Sequence, residues 1–142
     1  MKDNKINLKI ITQQKVVFEK NVDAFYTMAE DGAIGILANH TPLICALKVG
    51  VTKAVLDKNS KGDDGTVFIT TMGGILQFKD NQAVILTDLA ELGDDIDETR
   101  AHAAYERAKA KLAAHAEKNE ILRAQFALAK AIARITAAKR GR

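Results

Sequence analysis

The fold is decided by the stretch Asp95-Ile96-Asp97-Glu98-Thr99-Arg100-Ala101, where one sequence pattern gives way to another. Before it, as in residues 6–10, apolar and polar residues alternate, which is typical of half-buried strands. After it, residues 96–139 contain no proline or glycine, alanine is the commonest residue, and apolar positions recur at helical spacing. The sequence therefore predicts a β domain over residues 1–90 and a helical domain over residues 91–142.

The same stretch marks where the first helix begins. A carboxylate three residues before a glutamate is typical of a capped helix N-terminus, so the cap is either Asp95 or Asp97. The cation Arg100 falls in the first turn, where the helix dipole disfavours it, so an anion should lie nearby. The candidates are Asp97, a carboxylate of a partner protein, or a nucleotide phosphate.

The helical region divides into two. A polar interruption, Lys118-Asn119-Glu120, separates two runs of about 20 residues and predicts an antiparallel hairpin. The predicted apolar stripes are Ala101, Tyr105, Ala108 and Leu112 on the first helix, and Leu128, Ile132 and Ile135 on the second. Because burying alanine methyl groups stabilises a contact only weakly, we expect this hairpin to be mobile.

The first half of the chain reads as about eight or more short strands separated by turn signals. Turns such as Glu30-Asp31-Gly32 and Lys79-Asp80-Asn81 recur at short spacing, which favours a sandwich or flattened barrel over a βαβ repeat. Gly73-Gly74 lacks the frame of a phosphate-binding loop and precedes a strand. This pair therefore indicates a bulge or a tight strand crossing.

Composition limits the possible functions. A chain of 142 residues, 47% apolar and 27% charged, builds one moderate core. A single cysteine, Cys45, allows no internal disulfide and suggests a reducing compartment. No apolar run approaches the roughly 20 residues that span a bilayer, and none follows Met1 as a signal segment would, so we expect membrane contact only through partners.

Catalytic and metal-binding patterns are missing from the sequence. His40, His102 and His115 are far apart and show no metal-ligand spacing with Cys45. No nucleophile and base can be paired from the sequence either. We therefore predict a protein that is not an enzyme, with no catalytic residues, no metal site and no required cofactor.

The charge of the chain is concentrated at its C-terminal end. The net charge is +3, and after Glu120 there are six basic residues and no acidic one. Such a basic helix is either a solvated surface, a face that binds an acidic protein, or a nucleic-acid-binding arm. Only 5% of the residues are aromatic, which supplies few stacking surfaces for single-stranded nucleic acid. A small basic nucleic-acid-binding protein stays as the alternative reading.

Four segments, in order, resemble the epsilon subunit family of the F-type rotary ATP synthase, of bacterial type. They are Gly32-Ala33-Ile34-Gly35-Ile36-Leu37-Ala38-Asn39-His40-Thr41-Pro42-Leu43, Met72-Gly73-Gly74-Ile75-Leu76, the stretch from Asp95 to Ala101, and Leu128-Ala129-Lys130-Ala131-Ile132-Ala133-Arg134. The resemblance implies a ten-stranded β-sandwich followed by a C-terminal antiparallel helical hairpin. It also implies a non-catalytic subunit of the central stalk, or rotor.

The resemblance implies partners as well. In this family the β domain binds the gamma subunit and the loops of the membrane-embedded c-ring, and it couples proton- or sodium-driven rotation to catalysis. Asp31 and His40 stand where family members present loop residues to these partners. The implied location is the cytoplasmic face of the bacterial inner membrane, peripheral and attached only through the c-ring.

The family's hairpin moves between a compact form on the β domain and an extended form. The extended form enters the catalytic head of alpha and beta subunits and blocks ATP hydrolysis. By resemblance, Arg123, Lys130 and Arg134 would contact acidic segments of the beta subunits.

Some family members bind ATP on the compact form as a regulatory ligand. The resemblance assigns this role to Glu91, Ile96, Asp97, Arg100, Ala101, Lys130 and Arg134. Lys130 stands where tight binders carry a second arginine. Because lysine lacks the bidentate guanidinium fork, the expected ATP binding is weak.

Overall fold

The computed structural model of the protein describes residues 5–59, 65–114 and 117–140. Within these residues a sandwich-like sheet of eight strands is followed by two helices. The strands are β1 (Ile6–Ile11), β2 (Val16–Val22), β3 (Ala24–Ala29), β4 (Gly32–Leu37), β5 (Leu43–Val55), β6 (Thr66–Lys79), β7 (Gln82–Leu86) and β8 (Ala90–Leu92). A short 3-10 turn, Gly93–Asp95, leads into α1 (Glu98–Ala113) and α2 (Lys118–Arg140).

The strands form one sheet that folds around a single core. Their order is β2-β1-β7-β6-β5-β3-β4, and β8 pairs with β6 beside this path. The β1–β7 pair is parallel, and the other pairs are antiparallel. Ile10 of β1 and Ile36 of β4 lie near opposite ends of this order, yet both are fully buried in the same cluster with Phe25 and Leu76. The sheet therefore closes on itself as a sandwich.

The sheet has eight strands among the described residues, not the ten that were expected. The strands β5 and β6, of 13 and 14 residues, are long because each continues past a glycine break, at Gly50 and at Gly73-Gly74, where a short strand would end. Gly73 and Gly74 adopt positive φ angles of 80° and 118°, but the ladder keeps its register past them. The glycine pair is thus the tight crossing that the sequence offered as one alternative.

The first helix begins as one of the two predicted caps requires. The carboxylate of Asp97 accepts a hydrogen bond from the backbone N–H of Arg100 at 3.1 Å, which confirms Asp97 as the N-cap. The predicted interruption at Lys118–Glu120 is wrong, because these residues form the first turn of α2. Glu120 suits that position, since the helix N-terminus favours a negative side chain.

The hairpin packs on the sandwich through α2, and α1 packs chiefly against α2. The buried residues of α2 are Ala124, Ala131, Ala133, Ala137 and Ala138. Ile132, predicted to lie on the apolar stripe, is 47% exposed. Ala137 and Ala138 cluster with Phe68 of β6 and with Ile96. On the side of α2 this interface is therefore made largely of alanine methyl groups, which pack against larger side chains such as Phe68.

One glycine lets the helix backbone touch the sandwich directly. Gly93, in the 3-10 turn, is buried beneath α2. A Cβ atom added there would lie 2.5 Å from the carbonyl oxygen of Ala137 and 3.2 Å from that of Phe68. Real Cβ atoms do not approach backbone oxygens so closely. Any side chain at position 93 would therefore force α2 away from its observed position on the sandwich.

Candidate functional site

A cavity of about 280 Å³ lies where the hairpin meets the sandwich. Its walls come from the end of β8, the 3-10 turn, the start of α1 and the middle of α2. The lining residues are Glu91, Asp95, Ile96, Asp97, Arg100, Ala101, Ala104, Arg107 and Arg134. Because two domains contribute, the cavity exists only while the hairpin is docked.

A charged pair joins the two domains across this cavity. The Nε of Arg134 on α2 donates to Oε1 of Glu91 on β8 at 2.7 Å. Both side chains are about one third exposed, so solvent screens the pair and its own contribution to stability is small. Glu91 is fixed from the core side, because its backbone N–H donates to the hydroxyl of the fully buried Thr70 at 3.2 Å.

Two further cations in the cavity have no partner in the described part of the chain. Arg100 and Arg107 are exposed and lie two turns apart on one face of α1, about 10 Å along its axis. Within residues 5–59, 65–114 and 117–140, neither side chain forms an ion pair. The carboxylate of Asp97 is engaged as the helix cap. The lining thus carries three arginines and three carboxylates, of which Glu91 pairs with Arg134 and Asp97 caps α1.

The structure brings together six of the seven residues assigned to ATP binding. Glu91, Ile96, Asp97, Arg100, Ala101 and Arg134 line the cavity. Lys130 does not line it: its Nζ lies 5.0 Å from the ring centroid of Phe126, a cation–π contact.

The sequence reading missed Asp95, Ala104 and Arg107 as lining residues. A signal for Arg107 was available, because a residue seven positions after Arg100 falls on the same helix face. Ala104, four positions after Arg100, falls on that face as well. Asp95 gave no comparable signal, since it precedes the helix.

A second space lies between the two helices, and we call it the interhelical groove. It measures about 530 Å³, and its charged lining residues are Arg107 and Lys111 on α1 and Glu120 and Arg123 on α2, with alanines of both helices as its floor. The cations Arg123, Lys130 and Arg134, assigned together to an inhibitory contact, thus have different surroundings in the docked hairpin. Arg123 lines the groove, and Arg134 holds Glu91.

The two loop residues assigned to partner contacts lie on different connections. Asp31 is in the β3–β4 turn and lies close enough to Cys45 for its charge to act on that thiol. His40 is in the β4–β5 connection, with its ring edge-on to Phe78 at 5.8 Å. The ladder pairs Leu43 with Phe78, two residues from Cys45, so both loops adjoin the same end of the β5–β6 ladder.

The outer face of the sheet carries an exposed apolar row. The ladder register aligns Ala46, Ile75, Leu86 and Ile11 across β5, β6, β7 and β1. Ile75 and Leu86 are each 48% exposed, and nearby Ile44 is 71% exposed. We call Ala46, Ile75, Leu86, Ile11 and Ile44 the outer apolar row. Exposed apolar side chains in a contiguous set mark interaction surfaces.

The described residues do not assemble a catalytic or metal centre. Within them, no three His, Cys, Asp or Glu side chains come together as metal ligands would. Burial, assisted by the charge of Asp31, raises the pKa of the Cys45 thiol, so it stays protonated and unreactive. His115 lies outside the described residues. The helices found in the described residues are also too short or too polar to cross a bilayer.

Two family models match consecutive parts of the chain. Residues 5–93 match the β-sandwich domain of the ATP synthase delta/epsilon chain, and residues 94–139 match its long alpha-helix domain. An ATP synthase epsilon chain of Desulforamulus reducens is 39% identical over 133 residues, which cover 93% of this chain and 96% of that protein. The epsilon chain of Gloeobacter violaceus is 38% identical and covers 94% of this chain and 96% of its own.

Among solved structures, a chain in the mitochondrial ATP synthase of Euglena gracilis has the same fold. That structure is an OSCP/F1/c-ring assembly, and the superposition covers 96% of this chain and 82% of that one, with a TM-score of 0.80 and 21% sequence identity. The matches give no support to the alternative reading as a nucleic-acid-binding protein.

Proposed function

Because this chain belongs to the delta/epsilon chain family of ATP synthases, we propose that it is a central-stalk subunit that couples rotation to catalysis and regulates ATP hydrolysis. It is a non-catalytic subunit, since the catalytic sites of the enzyme lie in other subunits. The observation that carries the proposal is the division of the molecule into a well-packed sandwich and a hairpin whose α2 contributes mainly alanines to the contact between them.

We assign the outer apolar row to the gamma subunit. Ile44, Ile75 and Leu86 are large apolar side chains that remain 71%, 48% and 48% exposed in the isolated chain. A rotor subunit must stay fixed to its shaft while it transmits torque, and apolar residues at the centre of an interface supply most of its stability.

Replacing Leu86 with aspartate should weaken binding to the cognate complex that lacks this chain by about 30-fold, equivalent to about 2 kcal/mol. Leu37→Asp on β4 is a matched control, because Leu37 is 58% exposed but lies outside the row. Surface binding measurements on the immobilised complex would compare the two variants. Equal losses for both, or none for Leu86→Asp, would remove the row from the interface.

The loops at the end of the β5–β6 ladder are assigned to the ring. Asp31 is exposed and His40 is half-buried, and the backbone of the neighbouring Asn39 is held by the side chain of Asn81 at 2.6 Å. Fixed loops with polar tips suit contact with the c-ring. The chain would then sit peripherally at the cytoplasmic face of the membrane and reach it only through the ring.

The hairpin is assigned to regulation of hydrolysis. Release of α2 from Gly93 and Phe68 breaks alanine contacts, the cation–π contact between Arg140 and Phe68, and the screened pair of Arg134 with Glu91. The free helix carries Arg123, Lys130 and Arg134. In the extended form it would enter the head of alpha and beta catalytic subunits, where these cations would bind acidic segments of the beta subunits. Contacts with the beta subunits would then have to outweigh only the docking contacts, as a switch requires.

The cavity between the domains is assigned to ATP as a regulatory ligand that this chain does not hydrolyse. Arg100, Arg107 and Arg134 lie on its walls and suit a phosphate chain. Because α1, α2 and β8 all contribute, bound ATP would stabilise the docked hairpin by mass action.

Arg100→Gln should weaken ATP binding about tenfold in titration calorimetry, since a charge-assisted contact to phosphate is worth about 1.5 to 3 kcal/mol. Lys109→Gln removes one charge from the same helix outside the cavity and should bind ATP as the unmodified chain does. No heat from the unmodified chain at millimolar ATP would end the assignment.

A further inference from the structure

We propose that the interhelical groove is a second anion site, which binds a chain of phosphate groups and holds the two helices together. The groove lies between α1 and α2, near the turn of the hairpin. Its distinctive residues, Lys111 and Arg123, lie outside the ATP cavity, so this inference does not rest on the ATP assignment.

The geometry of the groove suits an extended anion. Arg107 and Lys111 are one helical turn apart on α1, about 6 Å along its axis, and Arg123 faces the same space from α2. The floor is made of alanines, including Ala108 and Ala124, whose short side chains leave about 530 Å³ open between the helices. Linked phosphates present oxygens along a length that can serve cations of both helices at once, so an extended anion uses more of this space than a single phosphate does.

The charges in the groove are not compensated. Three cations line it against the single carboxylate of Glu120, and no ion pair to Arg107, Lys111 or Arg123 occurs in the described part of the chain. Lys5 and Arg134, by contrast, pair with Asp23 and Glu91. Closing the hairpin brings like charges together in a methyl-lined space. An anion that binds there neutralises this repulsion, so binding and closure favour each other.

The chemistry of the cations selects phosphate. Arg107 and Arg123 present planar forks that bind phosphate oxygens in pairs, and Lys111 adds a point charge between them. Arg107 also lines the ATP cavity, so the two sites adjoin. Lys111 and Arg123 belong to the groove alone, and the ligand proposed for it is a free oligophosphate.

The test is titration of the full-length chain with sodium tripolyphosphate, followed by calorimetry and by hydrogen exchange of α1. We expect binding, slower exchange of α1 amides, and about tenfold weaker affinity for Lys111→Gln and Arg123→Gln. Lys109→Gln is the matched control. It removes the same charge two residues from Lys111 but outside the groove, where Lys109 lies 5.9 Å from the Tyr105 ring centroid, and it should change the affinity less than about twofold.

Three results would overturn the proposal. Equal weakening by Lys109→Gln and Lys111→Gln would mean non-specific attraction to a basic surface. No tripolyphosphate binding at millimolar concentration would mean that the groove is not a site. The third result combines two observations. If Arg100→Gln weakens ATP binding while Lys111→Gln and Arg123→Gln do not, and tripolyphosphate does not bind, then the nucleotide cavity is supported and the groove is rejected. Circular dichroism of each variant without ligand checks that it folds.

Discussion

Replacing Gly74 with alanine is expected to lower the free energy of unfolding of the sandwich by at least about 3 kcal/mol. Gly74 has a φ of 118°, a conformation that side-chain-bearing residues rarely adopt. An added Cβ would also lie within contact distance of the Leu86 carbonyl group and of Thr87 Cα. Since these are backbone atoms of the adjoining strand, the collision cannot be relieved by a rotamer change. Urea unfolding followed by circular dichroism measures the loss.

Gly73→Ala separates the cost of the positive φ angle from the cost of the collision with the adjoining strand. Gly73 also has a positive φ, of 80°, but a Cβ there would meet only the Leu47 carbonyl oxygen, at 3.6 Å. We therefore expect about 1 kcal/mol of destabilisation from the backbone conformation alone. If both variants lost the same stability, the close approach of β6 and β7 at Gly74 would not be what fixes the crossing.

Gly93→Ala is expected to release the hairpin while the sandwich stays folded. The new Cβ would meet the Ala137 carbonyl oxygen at 2.5 Å, so α2 must move outward. Overpacking of this kind costs about 2 kcal/mol, and amide exchange in α2 should accelerate about 30-fold while the core amides of β1 and β7 keep their protection. The adjacent Asp94→Ala is the control, because Asp94 is exposed.

The same variant tests the regulatory role. If the released hairpin is the inhibitory form, the Gly93→Ala chain should inhibit ATP hydrolysis by the cognate complex more strongly than the unmodified chain does. Charge reversal at Lys130 and Arg134 in the Gly93→Ala background should cancel the increase. If amide exchange in α2 became faster but ATP hydrolysis were not inhibited more strongly, release of the hairpin would not be the cause of inhibition.

Local patterns predicted the elements that depend on neighbours in sequence. The alternation in residues 6–10 predicted β1, and the carboxylates of Asp95 and Asp97 predicted the start of α1 to within two residues. The number of strands could not be predicted in this way. Gly50 and the pair Gly73-Gly74 break the sequence pattern, but pairing between β5 and β6 carries both strands through them. That pairing is set by residues distant in sequence.

The buried face of α2 was predicted less well, for a physical reason. Ranking by hydrophobicity placed Ile132 inside, whereas the structure buries Ala133 and Ala137 and leaves Ile132 47% exposed. The backbone of α2 lies very close to Gly93. Because little space remains between them, only small side chains fit on this face of α2, whatever their hydrophobicity. The sequence carried no sign that Gly93 would be the point of contact.

The residues that meet at this cavity could be grouped from the sequence only through the family resemblance. Glu91 and Arg134 are 43 positions apart, and no periodicity connects them. Their meeting depends on how the hairpin folds back along the sandwich. Arg107 could have been added by helix periodicity, because it lies seven positions after Arg100 on the same face of α1. Once the resemblance supplies Arg100, helix geometry predicts this further lining residue.

The parallel pairing of β1 with β7 sets the order in which the chain can fold during synthesis. β1 can pair with β2 early, but its other edge has no neighbour until residues 82–86 have left the ribosome. The nascent sandwich therefore carries an open, aggregation-prone edge for more than half of its translation. Once β7 has paired with β1 and β8 has paired with β6, the surface on which α2 packs is complete. Because α2 emerges later, the hairpin meets a finished surface.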